Sequence, residues 1–191
     1  MEVDVDEAQV RAAIEAIPEK EGFDWYLFLP EKIKNSDIWK KMEERFTVGN
    51  YLGDPDKIRM PRTTKESYAV ATHYSQEPDE DSVDDKSRSF KDWEQSGETF
   101  MTPLERMVAE LRWFQENGTH LDEKYMTVFN GSRLKSPEAP LFSFGQSDYW
   151  DRIPLMRFYS RTNEVTLNGG PPQGGHREAG VRRVITKESK V

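Results

Sequence analysis

Residues 102–118 read TPLERMVAELRWFQENG, a run that carries both ends of a helix as well as its buried face. Thr102 can accept from the backbone of the first turn, Pro103 stands at the first helical position, where its missing N–H costs nothing, and Glu105 completes a capping box. Leu104, Met107, Val108, Leu111 and Phe114 recur at intervals of three and four and form an apolar stripe. Gly118, following Asn117, is placed for a left-handed C-cap. The pattern predicts a helix over 102–117 with one face committed to a core.

Downstream the period changes from helical to extended. YMTVF (125–129), LFSF (141–144), IPLMRFY (153–159), EVTL (164–167) and VRRVI (181–185) are short β-rich segments separated by turn residues. Such a succession favours an antiparallel meander over β-α-β crossovers. Upstream, DEAQVRAAIEA (6–16) sets Val10, Ala13 and Ile14 in line with Ile17, begins with acids and is stopped by Pro18, as an amphipathic helix should be. A second helix is expected from a cap at Ser36 through Phe46, with Ile38, Trp39, Met42 and Phe46 as its stripe. DWYLFLP (24–30) reads as a buried strand. In ESYAVATHY (66–74), Tyr68, Val70, Thr72 and Tyr74 point one way while Ala69, Ala71 and His73 point the other, so a helix is expected over the small-residue face.

The fold class expected is therefore α+β: one domain over 1–191, an antiparallel sheet packed against a few amphipathic helices, with 102–117 chief among them. Two segments are expected outside the packed body, a mobile acidic loop at 76–89 and a flexible C-terminal tail at 186–191. Only 35% of the 191 residues are hydrophobic and 32% are charged, which would suit a disordered chain. Aromatic residues nevertheless make up 12%, including five Trp and ten Phe, and each buries a large area, so a small aromatic core under a very polar surface is expected.

Composition also excludes chemistries. There is no cysteine, hence no disulfide, thiolate nucleophile or sulfur-ligated metal. A net charge of −8 opposes binding to nucleic acid or anionic lipid, since that affinity rests on concentrated Lys and Arg. The acidic N-terminus and the lack of an apolar run near the roughly 20 residues of a membrane span point to a cytoplasmic chain. The partner expected is another protein, with no cofactor.

Specific motifs fail when laid on the sequence. An EF-hand started at Asp79 puts Val83 fifth, Asp84 where glycine belongs and Phe90 at the bidentate position. The glycine-rich stretch NGGPPQGGHREAG (168–180) has the spacing of a phosphate-binding loop from Gly170 to Gly175. However, His176 and Arg177 replace lysine and Ser/Thr, and Pro171 and Pro172 lack the N–H groups that would face phosphate. It reads as a proline-stiffened connection. No metal site is expected, because His73, His120 and His176 lack partners at ligand spacing.

The remaining candidates are single residues. His73 on its strand, His120 just past a helix end, Arg133 in the turn NGSR (130–133) and His176 are the candidates for a dispersed catalytic site. For His120 the blander role is favoured, interaction with the helix dipole. For Arg133 it is an ordinary turn arginine. Tyr149 and Trp150, among charges in GQSDYWDR (145–152), and Arg177 are the binding candidates. The leading expectation for function is a non-enzymatic interaction module of inhibitor, immunity or adaptor type. The alternative is a small hydrolase or transferase with a dispersed His/Arg site, which requires a pocket that gathers at least two of these residues.

Overall fold

A computed structural model describes residues 6–62, 65–79, 82, 90–134, 152–170 and 178–188. The expected strand 141–144 and the candidates Tyr149, Trp150, His176 and Arg177 lie outside the described residues, as do 80–81 and 83–89 of the acidic loop and 189–191 of the tail.

The helix predicted from 102–118 is α4 in chain order. It spans Pro103–Asn117, with Thr102 in extended conformation as N-cap and Gly118 left-handed at φ 70°. The Thr102 hydroxyl accepts from Glu105 N–H at 3.3 Å, and Glu105 Oε2 accepts from Thr102 N–H at 2.7 Å. Thr102 is fully covered, so the lost cap is not replaced by water. Thr102→Ala is expected to lower stability by about 1–2 kcal/mol, read from the midpoint of urea unfolding, and Thr102→Ser by less.

Other helices precede it. α1 (Glu7–Glu15) is capped by Asp6, which accepts from Ala8 N–H at 3.0 Å. α2 spans Asn35–Glu43, starting one residue before the expected cap and ending three short of Phe46. The shift has a physical cause. Ser36 is not the cap but lies in the first turn, where its N–H and hydroxyl both donate to Asp56, at 2.9 and 2.6 Å. α3 is the short helix Phe90–Gln95.

Among the described residues, ten strands form three sheets. The smaller three-stranded sheet has the order β1 (Trp25–Leu29), β4 (Tyr68–Thr72), β10 (Val184–Ile185), all antiparallel. The larger sheet has the order β2 (Thr47–Asn50), β8 (Glu164–Gly170), β7 (Ile153–Tyr159), β5 (Met126–Val128), β9 (Ala179–Gly180). A two-residue ribbon pairs β3 (Ile58–Arg59) with β6 (Arg133–Leu134).

The class is α+β. The antiparallel run β5–β7–β8 is the core of the larger sheet. Its two outer strands are added in parallel, β2 to β8 and β9 to β5, which makes the sheet mixed. The last expected strand, 181–185, is shorter than its pattern: only Val184–Ile185 is extended, as β10 of the smaller sheet, while the preceding Ala179–Gly180 close the larger one.

Both sheets share one core. Trp25, Leu27 and Leu29 of β1, Val70 of β4 and Val184 of β10 pack in the same cluster as Met156, Phe158, Val165 and Leu167 of the larger sheet, with Trp39 and Met42 of α2 and Leu104, Met107 and Trp113 of α4. The small-residue face of β4 is covered as its pattern demands. Ala69 and Ala71 cluster with Ile17, Phe23 and Ile185, and Ala13 and Ile14 of α1 pack onto them. No helix among the described residues is long and apolar enough to cross a membrane.

The expected loop at 76–89 is anchored at the end that is described. Asp79 N–H donates to Val181 carbonyl, Asp79 Oδ2 accepts from Arg183 N–H at 2.9 Å, and the buried Ser82 accepts from Val181 N–H at 2.9 Å. These bonds tie Asp79 and Ser82 to the segment between β9 and β10, so acidity here does not mean solvation throughout.

Candidate functional site

α4 buries charge as well as apolar surface. Glu105, Arg106 and Glu110 are all 0% exposed, beside Leu104 and Met107 on the same helix. A buried charge is tolerated only when it is paired and hydrogen-bonded, and each of these is. Glu105 forms one cluster: it accepts from Arg62 Nε and Nη2 at 2.9 and 2.8 Å and from Tyr68 hydroxyl at 3.0 Å. Burial first, then the Glu105 carboxylate, pushes the Tyr68 phenol well up and keeps it a donor.

The second cluster runs through the molecule to its surface. Arg182, 2% exposed, donates through Nη2 to Asp122 Oδ1 at 2.7 Å and through Nε to Thr127 hydroxyl at 3.2 Å. Its Nη1 and Nη2 also donate to the carbonyls of Ser75 and Gln76. Asp122 Oδ2 accepts from Arg106 Nε at 2.9 Å, and Arg106 Nη1 donates to Glu110 Oε2 at 2.7 Å. Glu110 Oε1 lies 2.7 Å from His120 Nδ1. Burial alone would raise Asp122, but the guanidinium groups of Arg106 and Arg182 outweigh it and hold the carboxyl below the usual carboxylate range.

The guanidinium groups of Arg106 and Arg182 and the carboxylates of Asp122 and Glu110 balance in formal charge. Glu110 Oε2 accepts from Arg106 Nη1 and Leu121 N–H, while Oε1 meets the His120 ring. The ring plane is set by aromatic contacts: His120 stacks on Phe158 at 4.0 Å and 16°, and meets Phe114 and Phe46 at 4.9 Å each.

His120 forms the floor of a cleft of about 660 Å³. Phe46, Phe114 and Phe158 make its apolar walls, and Glu43, Arg45, Glu123 and Asn163 stand exposed at its mouth. Two elements deliver these groups. The left-handed Gly118 ends α4 and turns the chain back so that His120 returns beneath Phe114, and the descent from α2 into β2 brings Phe46 across from it.

No protein-family model, curated protein or solved structure matches this chain. Its chemistry is therefore read from its own side chains.

Of the residues singled out in the sequence, the cleft takes one. His120 lies there, bonded to Glu110 through its ring and to Gln76 through its carbonyl, in place of a contact with the last carbonyls of α4. His73, half-buried, packs on the Phe23 ring at 4.1 Å beside Gly22 and is not part of the cleft. Gly22 is required there, since at φ +82° a Cβ would come within 3.1 Å of the His73 ring. Arg133 belongs to the β3–β6 ribbon, where its Nη1 donates to Ser132 carbonyl at 2.9 Å. The structure thus does not bring His73, His120 and Arg133 together. Among the described residues, no group of three or more His, Asp or Glu could hold a metal ion.

What the sequence reading passed over is Glu110, Arg106, Asp122 and Arg182. One signal was present: Pro103, Arg106, Met107, Glu110, Trp113 and Phe114 lie on a single helical stripe, so the Arg106–Glu110 pair shares the face of Met107.

Proposed function

We propose that the protein is a non-enzymatic interaction module of the inhibitor, immunity or adaptor kind, and that it recognises a basic protein partner through the His120 cleft. The observation that carries this reading is the presetting of His120. Its ring is held by Glu110 at Nδ1 and by Phe158, Phe114 and Phe46 around it before any partner arrives, so a contact made through it costs little ordering. The net charge of −8 and the carboxylates of Glu43 and Glu123 at the mouth favour a basic partner.

A second reading is supported by the same dyad. A histidine oriented by a carboxylate is the arrangement of a general base, which suits a small hydrolase or transferase. Among the described residues, no hydroxyl is hydrogen-bonded to His120 Nε2.

The experiment that separates them compares wild type with His120→Gln in affinity capture from the native cell, beside a hydrolase and transferase substrate screen. The expected result is a partner recovered by wild type and reduced at least tenfold with the variant, corresponding to about 1.4 kcal/mol or more. A turnover that His120→Gln abolishes, with no partner dependent on His120, overturns the interaction reading.

A further inference from the structure

We propose that a cavity walled by Asn130 is a binding site for a neutral primary carboxamide, that of glutamine or asparagine, either free or within a peptide. The cavity measures about 350 Å³ and shares no lining residue with the His120 cleft. Asn130 is 3% exposed, and its side-chain nitrogen and oxygen are both buried without a hydrogen-bond partner. Ser132 Oγ, two residues on, is in the same condition. A buried amide left unpaired costs stability, so such a group calls for a reason.

The fold does not supply that reason. Asn130 and Gly131 are the central residues of a turn closed by Ser132 N–H on the Phe129 carbonyl at 3.0 Å. Gly131, at φ 83°, is what this turn requires. Asn130 stands at the preceding position, which the turn leaves open to most residues, and its side chain bonds to nothing there. A single bridging water takes up about 30 Å³, a small part of the cavity.

Asn130 presents a donor and an acceptor side by side, and exchanging the two by a flip of the amide changes nothing in what an occupant must offer. An amine supplies donors alone, and a carboxylate acceptors alone. A trans peptide unit holds its N–H and C=O on opposite sides, so it meets one atom of Asn130 and not both. A primary carboxamide carries both groups on one edge and pairs with Asn130 twice.

The charges around the cavity agree with a neutral occupant. Arg62 already donates to both Glu105 oxygens and to the Phe100 carbonyl, Glu98 accepts from Arg183 Nε at 2.7 Å, and Glu188 is exposed beside them. A nucleobase edge offers the same donor–acceptor pair, but the phosphate of a nucleotide would meet Glu98 and Glu188 with Arg62 already committed. Pro61 and Phe100 give apolar wall for a methylene stem.

The test titrates the full chain with acetyl-Gly-Gln-Gly-N-methylamide, its glutamate and alanine forms, butyramide and adenosine. The Asn130 side-chain NH₂ signals, assigned through the Asn130 backbone, are followed by NMR. The glutamine peptide is expected to move them saturably, with the glutamate peptide, the alanine peptide and adenosine at least tenfold weaker. Butyramide binding as tightly as the glutamine peptide assigns a free amide as the ligand, and butyramide binding at least tenfold more weakly assigns a glutamine within a peptide. Asn130→Leu keeps the shape without the polar atoms. It is expected to unfold at no lower urea concentration than wild type and to weaken the glutamine peptide at least tenfold. Movement of the Asn130 signals by the glutamate peptide, the alanine peptide or adenosine at equal concentration overturns the carboxamide assignment, as does movement by none of the probes. A distinctly lower urea midpoint for Asn130→Leu also overturns it, because the amide would then serve the fold.

Discussion

Asp122→Ala is expected to lower the stability of the protein by about 3–5 kcal/mol. The carboxylate is shared by two guanidinium groups, Arg106 and Arg182, which are among the largest fully buried side chains in the molecule. Removing it leaves both with unpaired donors in a place that water does not reach, and the penalty is the desolvation of charge rather than the loss of one bond. Urea unfolding of wild type and variant measures the loss. A change below about 1 kcal/mol would mean that the network contributes no more than an exposed ion pair. Asp122→Asn separates charge from backbone, since asparagine also tolerates the left-handed conformation at φ 60° that Asp122 adopts.

The same residue sets an acid limb. Its carboxyl is held below the usual range in the folded state by Arg106 and Arg182, against the upward push of burial. A depressed folded value means that the stabilisation is complete above the ordinary aspartate value near 3.9 and is lost as pH falls below it toward the folded value. Stability measured between about pH 5 and pH 2 should therefore fall less steeply in Asp122→Asn than in wild type. An unchanged slope would assign the acid limb to other carboxylates.

The parts of the fold legible in the sequence are those whose determinants lie within a few residues. Thr102, Pro103, Glu105 and Gly118 specify α4 locally, and its bounds follow from them. The alternation in IPLMRFY specifies β7 over Ile153–Tyr159 in the same way. β2 was not legible, because TVGN has little strand character of its own and is extended through its parallel pairing with Glu164–Leu167, more than a hundred positions away. The start of α2 was misplaced because the group that satisfies Ser36 is Asp56, twenty residues on.

The site divides by the same rule. His120 was a candidate from its position after a helix end, but its meaning depends on Glu110, and an Arg–Glu pair at i,i+4 ordinarily reads as a solvated surface pair. What turned it inward is Asp122 and Arg182, which close the charge balance from outside the helix. No local pattern states that balance.

Glu110 is where stability and recognition meet, and its variants should separate the two. Glu110→Ala leaves Arg106 Nη1, Leu121 N–H and His120 Nδ1 without their acceptor, all buried, and is expected to cost about 3–5 kcal/mol in urea unfolding. Glu110→Gln keeps the shape but removes the charge that pairs with Arg106, so it should recover part of that loss and not all of it. A partner captured through His120 should also bind Glu110→Gln more weakly, because the ring has lost the carboxylate that holds Nδ1. If Glu110→Gln is as stable as wild type, the charge of Glu110 is not what holds Arg106 in the core; if capture is unchanged as well, the orientation of His120 by Glu110 does not contribute to recognition.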